Sequence, residues 1–102
     1  MIDVEALKED ISTPSLVVDK NTLQKNINKM SIFAKNNNIS IRPHAKSHKI
    51  PLISKLQISE GAIGICVATL FEAEIMVKNN IHGILLTAPI TNKNDQNRLK
   101  II

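Results

Sequence analysis

Apolar positions along this chain switch between two periods. Leu16, Val17 and Val18 run together after Pro14, which predicts a short strand from Ser15 to Asp19. Leu23, Ile27, Met30 and Ala34 then recur at helical spacing and predict an amphipathic helix over about residues 20–36. Asp19 or Asn21 is its N-cap, and Asn36 to Asn38 end it. Residues 39–46 alternate instead. Ile39, Ile41, Pro43 and Ala45 share one parity; Ser40, Arg42, His44 and Lys46 share the other. In an extended strand these two sets point to opposite faces.

The second half repeats the switch. A helix is expected over about 50–60, with Pro51 in its first turn, Leu52, Ile53 and Leu56 as its apolar face, and Gly61 just past its end. Ala62 to Ala68 reads as a strand apolar on both faces. One parity is small (Gly64, Cys66, Ala68) and the other bulky (Ile63, Ile65, Val67). Thr69 and Glu72 form a capping box that opens a helix to about Asn79, with Leu70, Ala73, Met76 and Val77 as its buried side. Gly83 precedes a strand from Ile84 to Thr87, which Pro89 ends. Thr91 is the expected cap of a last helix that carries Leu99 and Ile102.

Strands alternating with helices, and strands that are nearly continuous in apolar residues, predict an α/β fold with a parallel sheet covered by helices. The repeat of about 20 residues suits a (β/α) barrel or a doubly wound sheet. Three inner strands are expected, preceded by the short N-terminal one. A whole barrel takes about 250 residues, so the chain reads as an N-terminal fragment, residues 1–102, of a larger barrel domain.

Composition narrows the function classes. Apolar residues make up 43% and charged residues 22% of the chain, which fits a folded domain rather than a disordered one. Phe33 and Phe71 are its two aromatic residues, so the core must come from Ile, Leu, Val and Met. The net charge is +4. A small basic nucleic-acid-binding module remains an alternative, but such modules stack bases on aromatic rings that this chain lacks. One cysteine, Cys66, excludes an intramolecular disulfide and fits a cytoplasmic location. The polar N-terminus shows no signal peptide, and no apolar run is long enough for a membrane partner.

The densest chemistry lies in Arg42-Pro43-His44-Ala45-Lys46-Ser47-His48-Lys49. A lysine at the end of a strand, among other polar groups, is one way to build a reactive amine. This octet resembles the cofactor-lysine motif RPHxKTHK of the fold-type III pyridoxal-phosphate enzymes, in the branch of D-threonine aldolase and D-serine dehydratase. Thr13 to Asp19 resembles that group's opening strand. Gly64 to Thr69, followed by Glu72-Ala73-Glu74, resembles its second barrel strand and the next helix. Ser47 stands where threonine is commoner and keeps the hydroxyl.

The resemblance implies a partial TIM-type barrel and a Schiff base between Lys46 and pyridoxal 5'-phosphate. It implies a lyase acting on small D-amino acids, by retro-aldol cleavage, by β-elimination in the manner of D-serine dehydratase, or as a racemase. It also implies a homodimeric parent with a divalent metal. The metal ligands, the cofactor-phosphate loops and a C-terminal β-domain would lie beyond this chain, so the fragment alone is expected to be inactive. A non-catalytic pyridoxal-phosphate carrier of the same superfamily is a competing reading, though its lysine motif differs.

Each residue has a plainer reading beside the functional one. Lys46 is either the covalent anchor, its charge disfavoured by burial and by Arg42 and His44, or a surface lysine. Arg42 and His44 either hold cofactor oxygens and orient the lysine, or form a structural polar network. His48 is either a catalytic proton shuttle or a loop histidine; with His44 alone it makes no metal site. Cys66 is a small buried filler before it is a nucleophile. Thr69 and Glu72 are a helix cap before they are substrate contacts, and His82 is a turn residue.

Overall fold

The computed structural model describes residues 10–102. In chain order they hold α1 (Lys20–Asn36), a 3-10 turn (Ala45–Ser47), α2 (Pro51–Ser59), β1 (Ile65–Val67), α3 (Leu70–Lys78), β2 (Ile84–Leu86) and α4 (Lys93–Leu99). The expected α/β alternation is present, but two of the predicted strands are not.

Ser15 to Asp19 forms no strand. Leu16 is fully exposed, and Val17 and Val18 are also exposed. A strand exists only where a neighbour takes its backbone groups, and none of the described strands pairs with this segment. The chain becomes regular at α1, where the Asp19 carboxylate accepts the Thr22 N–H at 2.6 Å. That bond satisfies one of the four donors left free at a helix start.

Residues 39–46 are not a full strand either. Ile41 and Pro43 accept from Ile63 N–H at 2.9 Å and Cys66 N–H at 2.8 Å, and His44 makes a single parallel bridge with Cys66. Both carbonyls face β1, so the N–H that Pro43 lacks is missing from the edge that pairs. The step from Ile63 to Cys66 is also one residue longer than the step from Ile41 to Pro43. Gly64, at φ 152°, takes up the extra residue as a bulge. A Cβ there would lie 2.0 Å from the Gly83 carbonyl oxygen, so only glycine permits this approach.

β1 and β2 pair in parallel, with Ile65 opposite Ile84, Cys66 opposite Leu85 and Val67 opposite Leu86. Ile65 and Val67 face inward and join Ala45, Ala73, Met76 and Ile81 in the core. The core is aliphatic, as the shortage of aromatics requires; Phe33 and Phe71 are both exposed. The opposite face of the sheet, which carries Cys66 and Leu85, is open. The molecule measures 49 × 40 × 19 Å, the thickness of one sheet with one layer of helices.

The helices follow their local signals with two differences. Pro51 opens α2 and Gly61 follows it at φ 108°. Thr69 caps α3 by accepting the Glu72 N–H at 3.2 Å. However, Leu52 and Val77 point outward. Ile53 and Ser54 are the buried pair of α2; Leu70, Glu72, Ala73 and Met76 are the buried residues of α3. In helices of nine residues the inward direction is set by what each packs against, and spacing alone leaves it ambiguous. Asn92, not Thr91, caps α4, and accepts the Asp95 N–H at 2.8 Å. Arg98 then ties α4 to α3 through two bonds to Glu74, at 2.9 and 2.7 Å. None of the described helices is long and apolar enough to cross a membrane.

Candidate functional site

Side chains paired in register on neighbouring parallel strands project to the same face. His44 opposite Cys66, and Cys66 opposite Leu85, therefore line up on the open face of the sheet. Arg42 shares that parity from one end and Thr87 from the other. This is the alternation read from the sequence, and it holds as far as His44.

Beyond His44 the direction changes. Ala45 is 1% exposed and drops into the core, which pulls the chain into the 3-10 turn. Lys46 sits in the middle of that turn with an exposed side chain. The burial expected of Lys46 as a strand-end residue is therefore not found. Its backbone N–H donates to His44 Nδ1 at 3.3 Å, so the histidine caps the turn that carries the lysine. Lys49 closes the turn: its N–H donates to the Ala45 carbonyl at 2.7 Å, and its own φ is 54°.

The His44 ring is fixed at both nitrogens. Nδ1 accepts from Lys46, so the neutral ring carries its proton on Nε2. Nε2 lies 3.4 Å from Thr87 Oγ1, and that hydroxyl donates to the Val67 carbonyl at 3.0 Å. The proton directions agree along the whole chain: His44 to Thr87 to Val67. Arg42 is engaged differently. Its Nη1 donates to the Gly83 carbonyl at the start of β2, so it ties the far end of the sheet and not the lysine turn.

His48 turns away from this group. Its Nδ1 accepts the Ile50 N–H at 3.0 Å, at the entry to α2. Its Nε2 and Gln57 Oε1 are both buried, and neither makes a well-formed hydrogen bond. Burial pushes the imidazole below its ordinary pKa, and the polar contacts with Gln57 and Ile50 oppose that push. The structure thus brings together Lys46 and His44 and sets Arg42 and His48 at other contacts.

Cys66 is half-buried, with Sγ 3.4 Å from the Arg42 carbonyl oxygen, and His82 is an exposed residue before β2. Among the described residues no three His, Cys, Asp or Glu side chains converge as a metal site.

Two residues gain roles that the sequence reading missed. Thr87 appeared only as a strand end. Glu72 appeared as a cap, yet it is also a buried carboxylate, 7% exposed, with Lys49 Nζ at 3.6 Å. The Ala68 N–H, donated at 2.7 Å, is the chief reason its carboxyl is held below the usual carboxylate range. The capping-box spacing announced the helix start. No local signal announced the contacts to Lys49 or to His44, which join segments more than twenty residues apart in sequence.

The arrangement is an exposed primary amine on a capped turn, at the C-terminal edge of parallel strands. In α/β folds this is the edge where ligands bind. Beside it the open sheet face carries the small side chain of Cys66, with Ala68 next in line. An unprotonated amine here can add to a carbonyl.

No family model matches the chain. It is 37% identical over 90 residues to the 3-hydroxy-D-aspartate aldolase of Paracoccus denitrificans, covering 83% of this chain and 23% of that protein. It is 39% identical over 74 residues to the D-threonine aldolase of an Arthrobacter species, covering 72% and 20%. Among solved structures, the D-threonine aldolase of Filomicrobium marinum matches with a TM-score of 0.85 at 37% identity, over 88% of this chain and 24% of that one. The D-threo-3-hydroxyaspartate dehydratase of Delftia sp. HT23 matches with a TM-score of 0.81 at 30% identity, over 89% and 24%; a variant of a dehydratase of the same name has been solved in a metal-free form. The chain spans less than a quarter of the length of the curated relatives it matches. Its homologues are thus aldolases and a dehydratase of 3-hydroxy-D-amino acids, and it corresponds to their N-terminal part.

Proposed function

We propose that this chain is the N-terminal part of a pyridoxal-phosphate-dependent lyase that cleaves 3-hydroxy-D-amino acids by a retro-aldol reaction, and that Lys46 is the lysine that holds the cofactor. The observation that carries the reading is Lys46 itself. It is an exposed amine, on a turn capped by His44, at the strand edge where such folds bind ligands, in a segment that aligns with D-threonine aldolase.

The residues present suit that cofactor in part. Lys46 supplies the amine, and Cys66 and Ala68 leave a low surface beside it for a flat ring. Bound there, pyridoxal phosphate would supply an electron sink for the substrate α-carbon. His44 orients the turn through Nδ1, and Thr87 orients His44. Arg42 ties the sheet through the Gly83 carbonyl. His48 supports the junction of the turn with α2. The groups that hold the cofactor phosphate, the rest of the barrel and the C-terminal β-domain would belong to residues beyond this segment. So would the ligands of a divalent metal, a requirement that the metal-free form of the dehydratase makes worth testing. This segment alone would then be inactive.

The test is titration of the purified chain with pyridoxal phosphate, followed by borohydride reduction and peptide mapping. A label concentrated on Lys46, and lost in Lys46→Ala, is the expected result. Label spread evenly over the lysines, or absent from Lys46, would refute the assignment.

A second reading is β-elimination, favoured by the match to the Delftia dehydratase. Products separate the two on a chain extended to the length of the relatives. Retro-aldol cleavage of D-threonine releases glycine and an aldehyde, whereas elimination releases ammonia and a 2-oxo acid.

A further inference from the structure

A capping-box glutamate ordinarily returns its carboxylate to the N–H of the N-cap residue. Glu72 does something else. The Thr69 hydroxyl accepts the Glu72 N–H in the usual way. The Glu72 carboxylate, however, reaches one residue further back: Oε2 accepts from Ala68 N–H at 2.7 Å, at the end of β1. Oε1 faces Lys49 Nζ at 3.6 Å. One buried carboxylate thus joins the end of β1 to the last residue of the lysine motif.

Lys49 is where the lysine turn needs holding. Its φ of 54° lies in the left-handed region that non-glycine residues seldom adopt. Its N–H closes the turn on the Ala45 carbonyl. Lys46 therefore lies between two fixed points, His44 on one side and Lys49 on the other. A carboxylate that served only as a helix cap would need no lysine beside it.

We infer that Glu72 is a positioning residue for Lys46, acting through Lys49 to hold the far end of the turn. The assignment rests on the reading of Lys46 as the cofactor lysine. Burial makes Glu72 a demanding element to keep, since a desolvated carboxylate must be compensated by partners. The Ala68 N–H supplies one, and Lys49 supplies the charge.

The rate at which pyridoxal phosphate and borohydride label Lys46 tests this, compared among the unsubstituted chain, Glu72→Gln, Lys49→Met and the double variant. Glu72→Gln keeps an oxygen for Ala68 and removes the ion pair. Lys49→Met changes an exposed side chain, so the fold is retained. Each single variant should slow labelling of Lys46 by about two- to fivefold, the range expected of one ion pair whose lysine is largely exposed. The double variant should slow it no further, Lys49→Arg should restore it, and the other lysines should label as before. Unchanged Lys46 labelling in both single variants would overturn the inference, as would a loss in Glu72→Gln that Lys49→Met does not share. If the unsubstituted chain carries no label on Lys46, the cofactor reading fails, and this inference fails with it. Label on Lys46 that ignores Glu72 and Lys49 removes the inference alone.

Discussion

The Lys46 backbone N–H donates to the ring of His44, two residues earlier in the chain. The same ring reaches Thr87, forty-three residues later, with its other nitrogen. Through that ring the lysine turn is tied to the end of β2.

His44→Ala should therefore disturb Lys46 more than it disturbs the fold. The lost bonds are exposed and long, so the cost in urea unfolding should be about 1 kcal/mol or less. Labelling of Lys46 by pyridoxal phosphate should fall severalfold. Thr87→Val should produce a smaller fall in the same direction. Equal labelling in all three proteins would show that His44 does not orient the turn.

Gly64→Ala should be among the most damaging single changes. Its new methyl would meet the Gly83 carbonyl oxygen at 2.0 Å, at a backbone angle that L-residues avoid. Strain and overpacking together should cost about 3 kcal/mol or more. Gly61→Ala is the control. Gly61 also has a positive φ, but its nearest neighbour, Ser31 Oγ, stands 3.7 Å away. The midpoint in urea should fall further for Gly64→Ala than for Gly61→Ala; the reverse order would contradict the close approach of the strands.

His48 should make stability depend on pH just below neutrality. Burial lowers its pKa from the ordinary 6.5, so the unfolded chain binds the proton more tightly than the folded one. The folded state is then most favoured above pH 6.5 and loses that advantage as the pH falls towards the folded-state pKa. Urea midpoints measured at closely spaced pH values between neutrality and mild acid should decline. His48→Gln should flatten that part of the profile. A profile with the same slope in the variant would mean that His48 is not the group responsible.

Met76 is 1% exposed and packs in the cluster with Ile65, Val67 and Ile81. Met76→Ala should cost about 2–5 kcal/mol. Val77→Ala, the next residue along α3 but one that points outward, should cost far less. Comparable losses for the two would place the inward face of α3 wrongly.

Local signals along the chain specify several of its helices unaided. Asp19 before the Leu23, Ile27 and Ala34 stripe specifies α1, and Thr69 with Glu72 specifies the start of α3. Pro51 and Gly61 bracket α2. These interactions close within one helical turn, so neighbouring residues contain all the information needed. The octet from Arg42 to Lys49 carries the family resemblance by residue type and order.

Tertiary structure decided everything that required a partner from elsewhere. Leu16 to Val18 has strand composition but no pairing edge, so it remains irregular. Residues 39–46 alternate like a strand, but the missing N–H of Pro43 and the bulge at Gly64 leave one bridge. Ala45 is drawn into the core, and that turn of the chain, not parity, places Lys46 in the open. Glu72 meets Lys49, and His44 meets Thr87, because the sheet brings distant segments side by side. A residue's spacing determines which neighbours along the chain it can reach; which face is buried and which charges meet is settled only when the strands pair.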